Sequence, residues 1–146
     1  MKKLDGKVAI VTGAGKGIGR EAALAIAAKG ATVAAVARTL ADLDETVKMI
    51  KDNGGSAISL SHDLTVGAEV QAMVGEIMNK YGKIDILVNN AGGYPSEIYK
   101  NIEHQAIKLW DWTEEQWDQI IKTNVRIPFL CMKEVLPVMI GQRSGK

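Results

Sequence analysis

The sequence predicts an α/β fold built on a parallel sheet, and three observations support this prediction. Short, continuously apolar runs alternate along the chain with segments of helical periodicity. The helices expected between the runs are about ten to fifteen residues long, which is enough for a crossover. Because the runs are apolar without alternation, both faces of each strand are expected to be covered. Together these features predict right-handed βαβ units.

Four strands and five helices follow in chain order. The predicted strands cover residues 7–12, 32–37, 56–61 and 84–88. The predicted helices cover residues 18–29, a segment capped by Thr39, a segment ending at Gly82, a segment beginning near Thr113, and residues 125–140. Thr113 and Gln116 have the spacing of a capping box. A longer mixed connection over residues 93–111 has no clear periodicity.

Length and composition bound the function. The 146 residues fit one domain, 1–146, without repeats or a linker. A net charge of +1 gives no sign of a nucleic-acid or membrane partner, and no run reaches the roughly eighteen apolar residues of a membrane span. A single cysteine excludes a disulfide framework within the chain. Because the two histidines and the cysteine are scattered along the sequence, no zinc site with the usual ligand spacing is expected. We therefore expect a cytoplasmic protein without a bound metal.

A glycine-rich turn follows the first predicted strand and opens the first helix. It comprises Thr12, Gly13, Ala14, Gly15, Lys16, Gly17, Ile18 and Gly19. Glycines allow a sharp turn and a close approach of the backbone to a ligand, and a helix N-terminus attracts phosphate. The glycines do not fit the general dinucleotide pattern or the P-loop pattern in any register. The turn indicates phosphate binding, and an ordinary tight βα turn is the alternative.

Three further motifs lie downstream at the ends of predicted elements. Asp63-Leu64 follows the third strand, Asn89-Asn90-Ala91-Gly92 follows the fourth, and Asn124 precedes the last helix. With the glycine turn, these motifs resemble the short-chain dehydrogenase/reductase family in order and spacing. The resemblance implies a Rossmann-like, doubly wound parallel sheet. Only its first four strands, in the order 3-2-1-4, are expected within these residues.

The family resemblance implies a role for each motif. Gly13, Gly17 and Gly19 of the glycine turn would face the cofactor pyrophosphate, and further cofactor-binding residues of the same turn would be Thr12, Gly15 and Ile18. Asp63 would accept a hydrogen bond from the adenine amino group, with Leu64 beside the ring; the alternative for Asp63 is a helix cap. Residues near the ribose would be Asn90, Ala91 and Gly92, whereas Asn89 would tie the fourth strand to its neighbours. Asn124 would be the catalytic asparagine.

The end of the second strand indicates the cofactor. An NAD enzyme usually carries a carboxylate there, but this sequence has Arg38 followed by Thr39. Arg38 and Lys16 could bind a 2′-phosphate, so NADP(H) is preferred over NAD(H); the alternative is that both cations are merely solvated. Asp42, on the following helix, is expected to lie too far along the chain to contact the ribose.

The resemblance implies an NADP(H)-dependent oxidoreductase that transfers hydride between nicotinamide and a small-molecule alcohol or ketone. The family's serine and its tyrosine–lysine pair are expected beyond residue 146, so the chain is expected to be truncated before a fifth strand. The alternative is therefore an inactive nucleotide-binding fragment. A homo-oligomer is expected, either through the helix over residues 125–140 or through the exposed edge of the fourth strand.

Overall fold

The computed structural model of the chain describes residues 2–94 and 108–146, so most of the connection over residues 93–111 lies outside the described part. Its four parallel strands have the order β3-β2-β1-β4, as predicted. The strands are β1 (Val8–Thr12), β2 (Thr32–Ala37), β3 (Ser56–Ser61) and β4 (Ile86–Val88). β4 begins two residues later than predicted, because the backbone of Ile84 bonds a side-chain amide instead of a strand.

Within the described ranges, five α-helices flank the sheet. They are α1 (Gly17–Ala28), α2 (Leu40–Asp52), α3 (Gly67–Tyr81), α4 (Glu114–Ile121) and α5 (Ile127–Gln142). The capping box at Thr113 is confirmed, since its hydroxyl accepts from the backbone N–H of Gln116 and the Gln116 amide accepts in return. Thr39 occupies the N-cap position of α2, but its side chain forms no capping bond.

The boundary predicted at residue 125 is wrong. A π-helical turn over Lys122–Arg126 joins α4 to α5 without a break. Pro128 is at the start of α5 and has no N–H to donate to a carbonyl of the preceding π turn. The predicted helix over 125–140 therefore begins later and extends further, and Asn124 lies within the π turn, a distortion that often marks functional positions.

Alternate residues of the strands build two cores, one on each face of the sheet. On one face Ile10 and Val36 pack with buried residues of α3 and α5, including Ile77 and Val135. On the other face Val11 packs with α1 and α2. Since successive side chains of a strand point to opposite faces, a strand that is apolar throughout fills both cores. This arrangement fixes α1 and α2 on one side of the sheet and α3 and α5 on the other.

The outer edge of β4 is covered rather than open. The Gln142 side chain accepts from the N–H of Ile84 at 3.0 Å and donates to its carbonyl at 2.8 Å. The backbone of Lys146 donates to the carbonyl of Asp85 and accepts from the N–H of Leu87, at 3.0 and 2.9 Å. The expectation of an open apolar edge is therefore wrong for these groups, which removes much of the reason to expect pairing with another chain there.

Asp85 forms an ion-pair cluster at the amino ends of the strands. Its carboxylate accepts from Lys7 Nζ at 2.8 Å and from the N–H of Val8 at 2.9 Å, with Lys83 Nζ at 3.5 Å. Burial raises the pKa of Asp85, but these partners outweigh the burial and hold the pKa below its ordinary value. We call these four residues the Asp85 cluster.

Within the described residues, no helix is both long enough and apolar enough to span a membrane.

Candidate functional site

A cleft of about 270 Å³ opens at the carboxyl ends of the strands, between the two halves of the sheet. In open parallel sheets this edge, where the strand order reverses, is the usual ligand position. The residues that line the cleft come from the ends of all four strands and from α2 and the π turn. They include Gly13, Gly15, Lys16, Ala37, Arg38, Thr39, Asp42, His62, Asp63, Leu64, Thr65, Ala91, Gly92, Thr123 and Ile127.

The glycine turn between β1 and α1 is shaped by backbone conformations that favour glycine. Gly13 and Gly17 have φ values of +67° and +56°. A Cβ on Gly19 would overlap the Gly13 carbonyl, so the start of α1 passes against the turn with no room for a side chain. The first turn of α1 contains no acidic residue, and Lys16 does not cap it with its side chain. The N–H groups there therefore remain suited to an anionic ligand.

Thr12 and Asn90 lock the glycine turn to the end of β4. The buried Thr12 hydroxyl accepts from the N–H groups of Asn90 and Ala91, at 3.0 and 2.9 Å, and donates to the Val88 carbonyl at 3.1 Å. The Asn90 amide donates to the Thr12 carbonyl at 3.0 Å. Among the described residues Asn89 makes no side-chain hydrogen bond, so the tying role expected of Asn89 belongs to its neighbour Asn90.

Arg20 and Thr46 support the turn from the other side, and sequence reasoning missed both. Arg20 Nε and Nη2 donate to the Gly15 carbonyl at 3.1 and 2.6 Å, and Nη2 also contacts Glu45 at 2.7 Å. The buried Thr46 hydroxyl lies 3.0 Å from the Ala14 carbonyl. These contacts join α1, α2 and the turn into one unit. The Arg20–Glu45 and Thr46–Ala14 contacts join residues 25 or more apart, so no spacing rule predicts them.

Asp63 is oriented by a local turn at the end of β3. Its Oδ1 accepts from the backbone N–H of Thr65 at 2.9 Å and from the Thr65 hydroxyl at 2.8 Å. These two bonds, with smaller contributions from Arg38 and Lys122, outweigh burial and lower the pKa of Asp63, so it is an ionised acceptor at neutral pH. The helix-cap alternative is wrong, since α3 begins at Gly67 with Val66 as its N-cap.

His62 precedes Asp63 on the wall of the cleft. Its imidazole nitrogens lie 3.0 Å from Glu69 Oε2 and 3.1 Å from Glu76 Oε1. Both carboxylates belong to α3, so the contacts hold the end of β3 against that helix. His62 therefore shapes the cleft wall without facing a ligand through a free ring nitrogen.

Two cations stand at the mouth of the cleft near the end of β2. Arg38 and Thr39 are exposed there, and Lys16 reaches the same mouth from the glycine turn. Lys16 Nζ is 3.1 Å from Asp42 Oδ2. Asp42 also lines the cleft although it lies on the following helix, because the first turn of α2 brings its side chain back against Gly15.

Asn124 contacts the segment that follows β4. Its Oδ1 accepts from the N–H of Gly93 at 2.8 Å, and its Nδ2 lies 2.9 Å from the Gly93 carbonyl and 3.0 Å from the Ile120 carbonyl. A Cβ on Gly92 would come within 2.6 Å of Asn124 Oδ1. In this structure Asn124 therefore anchors the segment that follows β4, and it does so from within the π turn.

The structure brings many of the expected site residues together but not all of them. Nine line the cleft, namely Gly13, Gly15, Lys16, Arg38, Thr39, Asp63, Leu64, Ala91 and Gly92. The glycine turn is held in shape by three residues that do not line the cleft, namely Thr12, Gly19 and Asn90. The Ile18 side chain is 82% exposed. The cleft also includes Ala37, Asp42, His62, Thr65, Thr123 and Ile127, which sequence reasoning did not assign to it.

The sheet order, the glycine turn and the cleft at the strand ends define a Rossmann-like α/β domain. Comparison with known proteins specifies the family. The family described as "short chain dehydrogenase" matches residues 7–146, and the chain belongs to this short-chain dehydrogenase/reductase family.

Similar proteins support this assignment. A 3-oxoacyl-[acyl-carrier-protein] reductase, FabG, of Staphylococcus epidermidis is 35% identical over 140 residues, which are 95% of this chain and 53% of that protein. A metagenomic short-chain oxidoreductase in complex with NADP has a TM-score of 0.85 and 32% identity, covering 97% of this chain and 60% of the other. NAD⁺-bound xylitol dehydrogenase has a TM-score of 0.88 and 30% identity, covering 99% and 52%. The chain thus spans about half the length of the curated relatives it matches.

Proposed function

We propose that the protein acts as an NADP(H)-dependent oxidoreductase, which transfers hydride between the nicotinamide and an alcohol or ketone. One observation carries the proposal. The cleft joins a glycine turn with free helix N–H groups to two cations, Lys16 and Arg38, at the end of β2. Such a turn suits a pyrophosphate, and such cations suit a 2′-phosphate.

The residues around the cleft fit a dinucleotide. Gly13 and Gly15 would lie along the pyrophosphate, where a Cβ at Gly13 would already crowd Asn90 at 2.9 Å. Asp63 is held as an acceptor beside Leu64, which suits the amino edge of an adenine. Ala91 and Gly92 would follow the ribose. When bound, the nicotinamide would supply the hydride acceptor or donor.

The substrate is proposed only as a class. The similar proteins include a 3-oxoacyl-[acyl-carrier-protein] reductase and a xylitol dehydrogenase, which share carbonyl–alcohol interconversion but differ in substrate. Likewise one solved relative holds NADP and another NAD⁺. The preference for NADP(H) therefore rests on Lys16 and Arg38 of this chain and on the absence of a carboxylate at the end of β2.

Reversing one charge tests the cofactor assignment. Arg38→Asp should weaken NADPH binding at least about tenfold and leave NADH binding unchanged or improved, because a carboxylate repels the 2′-phosphate but accepts from a 2′-hydroxyl. Lys3→Asp is the control, since it makes the same charge change at an exposed position in the N-terminal segment. Dissociation constants from nucleotide fluorescence would measure both. An unchanged ratio of the two constants would show that Arg38 does not bind the phosphate.

A second candidate function is nucleotide binding without turnover. It is favoured by the sequence, in which Tyr81, Tyr94 and Tyr99 are followed four residues later by Asp85, Ile98 and Glu103 rather than by lysine. A tyrosine with a nearby lysine is the general acid that the family uses, so the 146-residue polypeptide is expected to bind NADPH without oxidising it. Measurable NADPH oxidation with a carbonyl substrate would exclude this candidate.

We also propose that α5 is the interface of a homo-oligomer. Its outer face is an exposed apolar stripe with members three or four residues apart, comprising Phe129, Met132, Leu136 and Ile140. Phe129→Glu should shift the mass measured by light scattering from oligomer to monomer. Lys48→Glu, on the exposed face of α2, should leave the mass unchanged.

A further inference from the structure

The ion pair at the mouth of the cleft joins the exposed ammonium group of Lys16 to the less exposed carboxylate of Asp42. The Lys16 side chain is 79% exposed, whereas that of Asp42 is 29% exposed. An exposed pair of this kind contributes little to stability, since water screens it and the lysine loses side-chain entropy. Its position matters more than its strength, because both residues line the cleft.

The backbone of Asp42 is fixed by the same contacts that support the glycine turn. Its carbonyl lies 3.0 Å from the Thr46 hydroxyl and 3.4 Å from Arg20 Nη2. Asp42 also packs closely on Gly15, since a Cβ built on Gly15 would lie only 2.9 Å from the Cβ of Asp42. The carboxylate therefore stays beside the turn, and Lys16 is the partner that must move if a ligand is to take the ammonium group.

The mouth of the cleft carries charges of both signs. Lys16 is paired with Asp42, and the positive charge of Arg38 acts on Asp63 across the cleft. The charged side chains that line the cleft are thus two cations and two carboxylates, and Lys122 adds a further positive charge that acts on Asp63. A ligand with an additional phosphate is attracted by the cations but repelled by Asp42.

We propose that Asp42 is a specificity-determining residue, which weakens the preference for the phosphorylated cofactor by occupying Lys16 and repelling the 2′-phosphate. This inference rests on the proposed binding of a dinucleotide in the cleft. A nucleotide without the 2′-phosphate carries no group that competes for Lys16, so Asp42 affects NAD(H) much less than NADP(H).

Neutralising Asp42 tests the inference. In Asp42→Asn the affinity for NADPH should rise roughly three- to tenfold, while the affinity for NADH changes less than about twofold. Asp44→Asn is the matched control. Asp44 lies on α2, as Asp42 does, but it is exposed and lines a different surface groove. This substitution removes the same charge and should change neither dissociation constant by more than about twofold. Circular dichroism would verify that both variants are folded.

A double-mutant cycle identifies the route of the effect. If Asp42 acts by holding Lys16, then Asp42→Asn should lose most of its effect on NADPH affinity in a Lys16→Met background. A full effect in that background would leave repulsion of the phosphate as the only route and would overturn the part assigned to Lys16.

The outcomes separate this inference from the proposed function. If the unmodified chain binds both nucleotides but Asp42→Asn strengthens them equally or not at all, the role of Asp42 is overturned and the cofactor site stands. If the unmodified chain binds neither nucleotide at millimolar concentration, the proposed function fails and the inference fails with it.

Discussion

The two ends of the sheet carry similar charges in opposite settings. At the amino ends, Asp85 has a side chain that is 8% exposed and accepts from Lys7 and the N–H of Val8. At the carboxyl ends, Asp42 pairs with Lys16 at the mouth of an open cleft. The buried carboxylate of Asp85 therefore joins two strands, whereas the more exposed pair of Asp42 and Lys16 remains accessible to a ligand.

The surrounding backbone explains this difference. The amino ends are closed because the chain returns to β1 and β4 at one place, where Val8 and Asp85 exchange hydrogen bonds. At the carboxyl ends the glycine turn, the ends of β2 and β3 and the segment after β4 line a cleft instead, so the charged groups there stay accessible to a ligand. The comparison predicts that substitutions at the Asp85 cluster change stability alone, whereas substitutions around the turn change ligand binding as well.

The largest effect is expected at the closed end. Asp85→Ala should lower the free energy of unfolding by about 3 kcal/mol, because it leaves the N–H of Val8 without its acceptor and Lys7 without its partner. The affinity for NADPH should not change. Urea unfolding would measure the first quantity. Asp52→Ala, which removes an exposed pair with Lys48, is the control and should cost no more than about 0.5 kcal/mol.

A somewhat smaller loss of stability is expected at the turn, together with a loss of binding. Gly19→Ala should lower the free energy of unfolding by about 2 kcal/mol and weaken NADPH binding more than tenfold, because the new methyl group overlaps the Gly13 carbonyl. Gly75→Ala, at an open position within α3, should instead stabilise the protein by about 1 kcal/mol. Unchanged nucleotide affinity in Gly19→Ala would contradict the assigned role of the turn.

Removing the Thr46 hydroxyl, which supports the glycine turn, should have a moderate effect on both stability and NADPH affinity. Thr46→Val keeps the shape of the side chain but removes its bond to the Ala14 carbonyl, so it should cost about 1 kcal/mol of stability and reduce NADPH affinity a few-fold. Thermal unfolding and nucleotide titration would measure the two effects. The same exchange at Thr32, at the amino end of β2, should leave the affinity unchanged.

The smallest effect concerns pH. Because the folded protein lowers the pKa of Asp85, this residue contributes stability above its unfolded pKa and loses that contribution as the pH falls below about 4. Asp85→Asn, which cannot titrate, should show a shallower loss of unfolding free energy between about pH 5 and pH 3. Parallel curves for the two proteins would show that Asp85 has an ordinary pKa in the folded state.

Local patterns predicted the elements and much of the cleft. β1, β2 and β3 followed from apolar runs, the strand order from the family resemblance, and the capping box at Thr113 from the spacing of two residues. The cleft residues at strand ends, such as Gly13, Arg38 and Asp63, were also predictable, because parallel strands bring their carboxyl ends to one edge. These features depend on neighbours in sequence or on a general property of the fold.

The sequence by itself thus determined the α/β class, the family motifs and the charges available near the cofactor site. Only the tertiary structure decided how those charges and backbone groups pair. The Gln142 amide covers the edge of β4, Arg20 pairs with Glu45, and Asp42 pairs with Lys16. No local pattern encodes such contacts, because they arise when elements that are distant in sequence are brought together by burial of their apolar sides.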